Sequence, residues 1–187
     1  MPDDAQLLTD YVRRGDVKSL SALVERHSRW MLALLRGMLP TAADADDAFQ
    51  DAWHRVIRSA GNYRGGQVRA YLAKAARSAA IDRLRRQGRT VSLDAEPEDG
   101  EPGAADIADE APSPGERFES KATAEDVRRA TQALPEGPRQ VFLLRLEGEM
   151  TFREIAEELG VPLGTALTWM RTATERLRAL LTEEGRQ

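Results

Sequence analysis

Between Arg69 and Arg89 the chain places seven basic side chains, Arg69, Lys74, Arg77, Arg83, Arg85, Arg86 and Arg89, against the single acid Asp82. Such clustering suits a phosphate backbone, where each neutralised phosphate releases counterions and makes affinity steeply salt-dependent; the plain alternative is a solvated helix face. Just upstream, Ser59 to Gln67 form a turn-rich loop that holds Asn62, Tyr63, Arg64 and Gln67. Unpaired bases stack on aromatic faces and amides read their edges, so Tyr63 or Tyr71 is a stacking candidate, with a core or lid role as the other reading.

A second constellation lies near the C-terminus. Thr151 and Glu154 fit a capping box, Ile155, Ala156 and Leu159 make an apolar stripe, Gly160 suits a left-handed turn, and Pro162 suits the first turn of another helix. Short helix, tight turn, longer helix is the pattern of a helix-turn-helix, whose second helix, here from about Leu163 to Leu181, enters the major groove of duplex DNA. Chemistry of the reactive kind is missing. The two histidines, His27 on an apolar stripe and His54 beside Trp53, read as ordinary helix residues, and cysteine is absent. With no Gly-rich phosphate loop after a strand either, no catalytic residue, metal site or cofactor is expected.

The elements that must position these groups are helical throughout, with no alternating strand pattern. Gln6 to Arg14 predict a short leading helix. Leu20, Leu23, Val24, His27, Trp30, Met31, Leu34, Leu35 and Met38 recur at spacings of three and four, a long amphipathic helix ending near Leu39-Pro40. Thr41 and Asp44 then start a helix that buries Ala45, Ala48, Phe49, Ala52, Trp53, Val56 and Ile57. Its other face carries Asp44, Asp46, Asp47, Gln50, Asp51 and Arg55, which either serves the helix dipole or forms a docking surface. A helix from about Val68 to Arg86 turns Tyr71, Leu72, Ala75, Ala76, Ala79, Ala80, Ile81 and Leu84 to an apolar side.

Charge is divided along the 187 residues rather than spread. Val91 to Glu116 contain nine acids and no Lys or Arg, so a chain of net charge -4 leaves +5 for everything outside that stretch. With four prolines, three glycines and few large apolar residues, the stretch cannot offset its ordering entropy. It reads as a flexible linker, or else as a mimic of nucleic acid that occupies a basic channel. Two small all-α domains are therefore expected, at 1-90 and 118-187, joined by an acidic linker at 91-117. The longest apolar run, Trp30 to Leu35, is too short to span a bilayer, and no apolar signal core precedes it, so a cytoplasmic protein without membrane insertion is expected.

Three segments in register resemble the extracytoplasmic-function sigma factors of the sigma-70 family. Asp44 to Val56, with its acidic start and Gln50-Asp51 pair, is similar to the family's core-polymerase-binding helix. Tyr71 to Arg86 resembles the helix that faces the minus-ten element, and Leu134-Pro135 with Arg139 to Phe142 opens the second domain. The resemblance implies a non-enzymatic promoter-specificity subunit whose partners are the coiled coil of the largest polymerase subunit, promoter DNA and an anti-sigma factor, the last able to hold it at the membrane. It assigns Asp44, Asp47, Gln50, Asp51, Trp53 and Arg55 to core binding. To the minus-ten element it assigns Asn62, Tyr63, Arg64, Gln67, Arg69, Tyr71, Lys74, Arg77, Ser78, Arg83, Arg85 and Arg86. To the minus-thirty-five element it assigns Arg145, Thr151, Arg153, Thr165, Thr168, Trp169, Arg171 and Arg176. The linker would thread toward the RNA exit path. Where relatives commonly continue Val-Lys-Ser-Arg after Gly164-Thr165, this chain has Ala166-Leu167-Thr168-Trp169. Leu167 and Trp169 then either contact thymine methyls or pack against a partner other than DNA. That departure leaves two alternatives open: a sigma-like decoy that sequesters an anti-sigma factor, and a helix-turn-helix regulator independent of polymerase.

Overall fold

The computed structural model describes residues 2–88 and 123–184, side chains through 182. The chain divides into two units, 1–89 and 90–187, and each is described by itself. The linker at 91–117, and Arg89 with it, lie outside the described residues.

In the first unit the first three helices each begin on a side-chain cap. Asp3 accepts from the Gln6 amide to start α1, Asp4–Arg14, which ends at Gly15 in the left-handed region, φ 65°. Asp16 accepts from the Lys18 amide to start α2, Val17–Met38, and extended Leu39 ahead of Pro40 ends it. Thr41 accepts from the Asp44 amide at 3.0 Å to start α3, Ala42–Ser59, which tightens into a 3-10 turn at Ala60–Asn62 before α4, Val68–Arg86.

α2, α3 and α4 pack on one another, and α1 lies on α2. The core is large on one side and small on the other. α2 supplies Leu23, Met31, Leu34 and Leu35, whereas α3 and α4 meet through Ala45, Ala48 and Ala52 and through Leu72, Ala73, Ala76 and Ala80, all fully buried. Alanines keep the backbones of α3 and α4 close, and each large α2 side chain contributes about 1.5–3 kcal/mol by leaving water. Three expectations shift. Ile57 is 38% exposed and Phe49 half-buried, while Asp44, expected on the open face, is buried. In α4 the buried set also takes in Val68, Ala70 and Ala73.

The second unit holds α5 (Ala124–Gln132), α6 (Glu136–Leu146), α7 (Phe152–Leu159) and α8 (Leu163–Glu184). Capping boxes open α5, through Thr123 and Asp126, and α7, through Thr151 and Glu154. Gly160, at φ 69°, turns the chain from α7 into α8. α6 is enclosed on nearly every side, with Gln140 to Arg145 all buried, and it packs on α8. α8 answers with Ala166, Trp169, Ala173, Leu177 and Leu181, a stripe spaced by three and four. Trp169 lies directly over Gly137, where any Cβ would come within 2.8 Å of its ring carbons. Close contact of α6 and α8 thus depends on a residue without a side chain facing the largest one.

Candidate nucleic-acid interface

The loop between α3 and α4 is tied into a fixed shape. The Tyr63 hydroxyl donates to the Gly66 carbonyl at 2.7 Å, Arg64 donates to the Gly61 carbonyl at 3.0 Å, and Gly65 and Gly66 take φ of 97° and 96°. Tyr63 and Tyr71 rings lie 5.5 Å apart, tilted by 58°, and the Tyr71 hydroxyl shares a 2.6 Å hydrogen bond with Ser59. Burial pushes the Tyr63 phenol up, and the carboxylates of Asp3 and Asp4 add to this, so it stays a protonated donor. Each tyrosine therefore braces the loop while remaining half-buried, and the fully open groups are Asn62, Arg64 and Gln67.

Next to the loop the Arg69 guanidinium sits 4.8 Å from the Trp30 ring centroid. Farther along α4, the basic side chains meet the acids of α3. Arg83 reaches Asp44 at 2.9 Å and Asp47 at 2.6 Å, and Arg86 approaches Asp51 at 3.5 Å. In the reverse sense, Arg55 of α3 donates to Ser78 at 2.7 Å and to Asp82 at 2.6 Å. Residues assigned by sequence to two separate partners are thus hydrogen-bonded to one another. Asp47, Gln50, Arg85 and Arg86 are exposed, Asp51, Arg55, Lys74, Arg77, Ser78 and Arg83 half-buried. Asp44 is held below the usual carboxylate range by the Thr41 hydroxyl first and by Arg83 next, with Gln87 adding a third donor at 2.7 Å.

Four of the assigned groups lie inside the fold. Asp44 is buried and fully occupied by Thr41, Arg83 and Gln87, and Trp53 is buried edge-on to Phe49. Arg145 is buried, donates to the Met150 carbonyl at 2.8 Å and lies 4.9 Å from the Phe152 ring centroid, fastening the turn between α6 and α7. Trp169 is buried against Gly137, on the inner side of α8. Thr151 carries a structural duty as well: it accepts from the Glu154 amide at 3.2 Å to cap α7.

Among the groups the helix-turn-helix leaves open are Arg153 and Glu157 on α7 and Leu163, Gly164, Arg171, Glu175 and Arg176 on α8, with Thr165, Leu167 and Thr168 half-buried. Sequence reasoning passed over Gln87 and Leu163. Leu163 lies at the head of α8, just after Pro162, and is exposed although its spacing to Ala166 and Leu181 is in phase with the buried stripe, so the spacing alone does not reveal it.

Residues 23–90 match the family Sigma-70 region 2, and residues 124–177 match Sigma-70, region 4. Among relatives, the chain is 34% identical over 180 residues to the ECF RNA polymerase sigma factor SigM of Mycobacterium tuberculosis, covering 95% of this chain and 84% of that one. It is 30% identical over 168 residues to the ECF RNA polymerase sigma factor SigE of Mycolicibacterium smegmatis, covering 89% of this chain but only 63% of the relative, less than two thirds of its length. Two solved structures share the fold: CnrH in complex with the cytosolic domain of CnrY, at TM-score 0.62, 20% identity and coverage of 96% and 95%, and the sigma factor RpoE in complex with the anti-sigma factor NepR from Bartonella quintana, at 0.64, 18%, 88% and 98%.

Proposed function

The chain belongs to the extracytoplasmic-function sigma factors, promoter-specificity subunits of RNA polymerase, and we propose that its two units divide the tasks of core docking and promoter reading between them. Asp47, Gln50 and Asp51 on the open edge of α3 dock on the core enzyme. The braced loop from Asn62 to Gln67 holds an extruded base of the melted minus-ten element through its amides, and Arg69, Lys74, Arg77, Arg85 and Arg86 hold the adjoining backbone. Extrusion costs a few kcal/mol, which stacking at ~1–3 kcal/mol and hydrogen bonds to the base offset. In the second unit the start of α8 enters the major groove of the minus-thirty-five duplex, with Arg153, Arg171 and Arg176 at the backbone.

The observation that carries this reading is the match of both halves, in order, to the two sigma regions, with each region's charged or open helix facing solvent. The protein works in the cytoplasm, and an anti-sigma factor is its regulatory partner, a reading supported by the complex of RpoE with NepR.

Run-off transcription with purified core polymerase on a pool of random promoters tests it. Core-dependent initiation from an enriched motif is expected, abolished in Asp51→Arg while the circular dichroism of that variant is unchanged. No initiation from any template overturns the reading. It would favour a decoy that occupies an anti-sigma factor, a reading supported by the uncharged start of α8.

A further inference from the structure

From Val161 to Met170 the chain offers only apolar residues, glycine, proline and threonine, and Arg171 is the first cation of α8. Bidentate recognition of guanine needs Arg or Lys and that of adenine needs Asn or Gln. Neither is available in the two turns that, in a helix-turn-helix, lie nearest the base edges. The one apolar group that the major groove presents is the 5-methyl of thymine.

The surface left open fits that group. With Ala166 and Trp169 turned inward, Leu163 is 42% exposed and Leu167 half-buried, and their spacing of four sets them on one edge of the helix. The Thr168 hydroxyl donates to the Gly164 carbonyl at 2.9 Å, so that side chain has a methyl and an acceptor lone pair left to offer. Gly164 supplies an independent observation. It is exposed, and a Cβ built on it meets nothing within 4 Å, so neither its neighbours nor a left-handed backbone asks for glycine. In a helix glycine costs up to ~1 kcal/mol relative to alanine. A glycine that the fold does not need, at the head of the groove-entering helix, suits close approach of an outside surface.

We propose that α8 reads thymine methyl groups in the minus-thirty-five duplex, with Leu163 and Leu167 as the specificity-determining contacts and Gly164 as the point of closest backbone approach. This rests on the assignment of α8 to duplex reading, and it predicts a T-rich element in place of one read by arginine.

The test uses holoenzyme and a promoter whose minus-thirty-five element has been selected from a random pool. Each thymine of that element is replaced by deoxyuridine, which removes the methyl and keeps every hydrogen bond. Loss of occupancy by about fourfold per contacted methyl is expected, the equivalent of ~0.8 kcal/mol for one buried methyl-sized group. Leu167→Ala should bind the thymine promoter more weakly than wild type and lose the deoxyuridine penalty at the thymine it contacts, so that the two substitutions are not additive there. Gly164→Ala should raise the melting temperature while weakening promoter binding, which separates contact from folding. Equal binding of thymine and deoxyuridine templates by wild type, with a scrambled element still discriminated, overturns the methyl contact alone. Indifference to scrambling overturns it together with the assignment of α8. Loss of anti-sigma binding in Leu163→Ala or Leu167→Ala, with the deoxyuridine penalty intact in both, would transfer this face to the protein partner and overturn the proposal.

Discussion

At the scale of single residues, the distinctive arrangement is the chain of contacts that ties α1 to α2. His27, buried, accepts a 2.9 Å hydrogen bond at Nδ1 from the Trp30 indole, which leaves its proton on Nε2, 3.0 Å from Asp4 Oδ2 but poorly aligned with it. Arg26 also pairs with Asp4, and Arg69 lies over the Trp30 ring. Protonation at Nδ1 would set two N–H groups against each other in a dry site. Burial accordingly lowers the His27 pKa, Asp4 opposes that shift, and Arg69 and Arg26 reinforce it. The sign follows: an imidazole that resists its proton when folded contributes stability that is complete above the unfolded value near 6.5 and is lost as pH falls through the depressed folded value. The first unit should therefore be less stable to urea at pH 5.5 than at pH 7.5. Nuclear magnetic resonance titration, with only His27 and His54 to assign, should place His27 below 6.5, and Trp30→Phe should raise it by removing the opposing N–H. A His27 that titrates at or above 6.5 would refute this account.

At the scale of elements, the ion pairs between α3 and α4 split the basic residues of α4 into two kinds. Arg83 satisfies a buried carboxylate, whereas Arg85 is exposed and reaches Asp82 only at 4.0 Å. Removing Arg83 leaves Asp44 without its one charged hydrogen-bond donor in a site it cannot leave, while an exposed pair contributes little. Arg83→Ala should lower the melting temperature of the first unit, and Arg85→Ala should leave stability within ~0.5 kcal/mol of wild type. Equal melting of the two variants would show that Asp44 does not need its partner. Sequence alone exposed the helices because their signals are local: Thr41, the Thr151–Glu154 box and Gly160 each act within one turn, and the spacing of Leu23 to Met38 sets a face by itself. It did not expose which side chains cross between helices. Nothing local distinguishes Arg83 from Arg85, and Asp44 reads as one more acid until Gln87 is brought to it from 43 positions away. Trp169 marks the same boundary. It shares a stripe with Ala166 and Ala173, but Gly137, the residue that makes room for its ring, lies on α6. The family pattern placed it in the groove instead.

At the scale of the whole molecule, net charge says little about DNA binding, since the cations concentrate on α4 and α8 begins without any. Charged and apolar contacts should then differ in how salt affects them. Counterion release scales with the number of phosphates neutralised, at ~0.9 per contact on duplex and ~0.7 on a single strand, whereas methyl contact releases none. Replacing both Arg85 and Arg86 with alanine should flatten the plot of log affinity against log salt by about 1.4, if both engage the melted strand. Arg171→Ala should remove about 0.9 through the duplex. Leu167→Ala should shift the whole line downward and leave its slope unchanged. Holoenzyme binding to one promoter, measured across a series of salt concentrations for these three variants, separates backbone neutralisation from base reading within a single experiment. A slope altered by Leu167→Ala, or left intact by the double arginine variant, would mean that charge neutralisation and apolar reading are not carried by separate residues in this way. Parallel lines for wild type and Arg171→Ala would place the backbone contacts of the second unit on Arg153 and Arg176 alone.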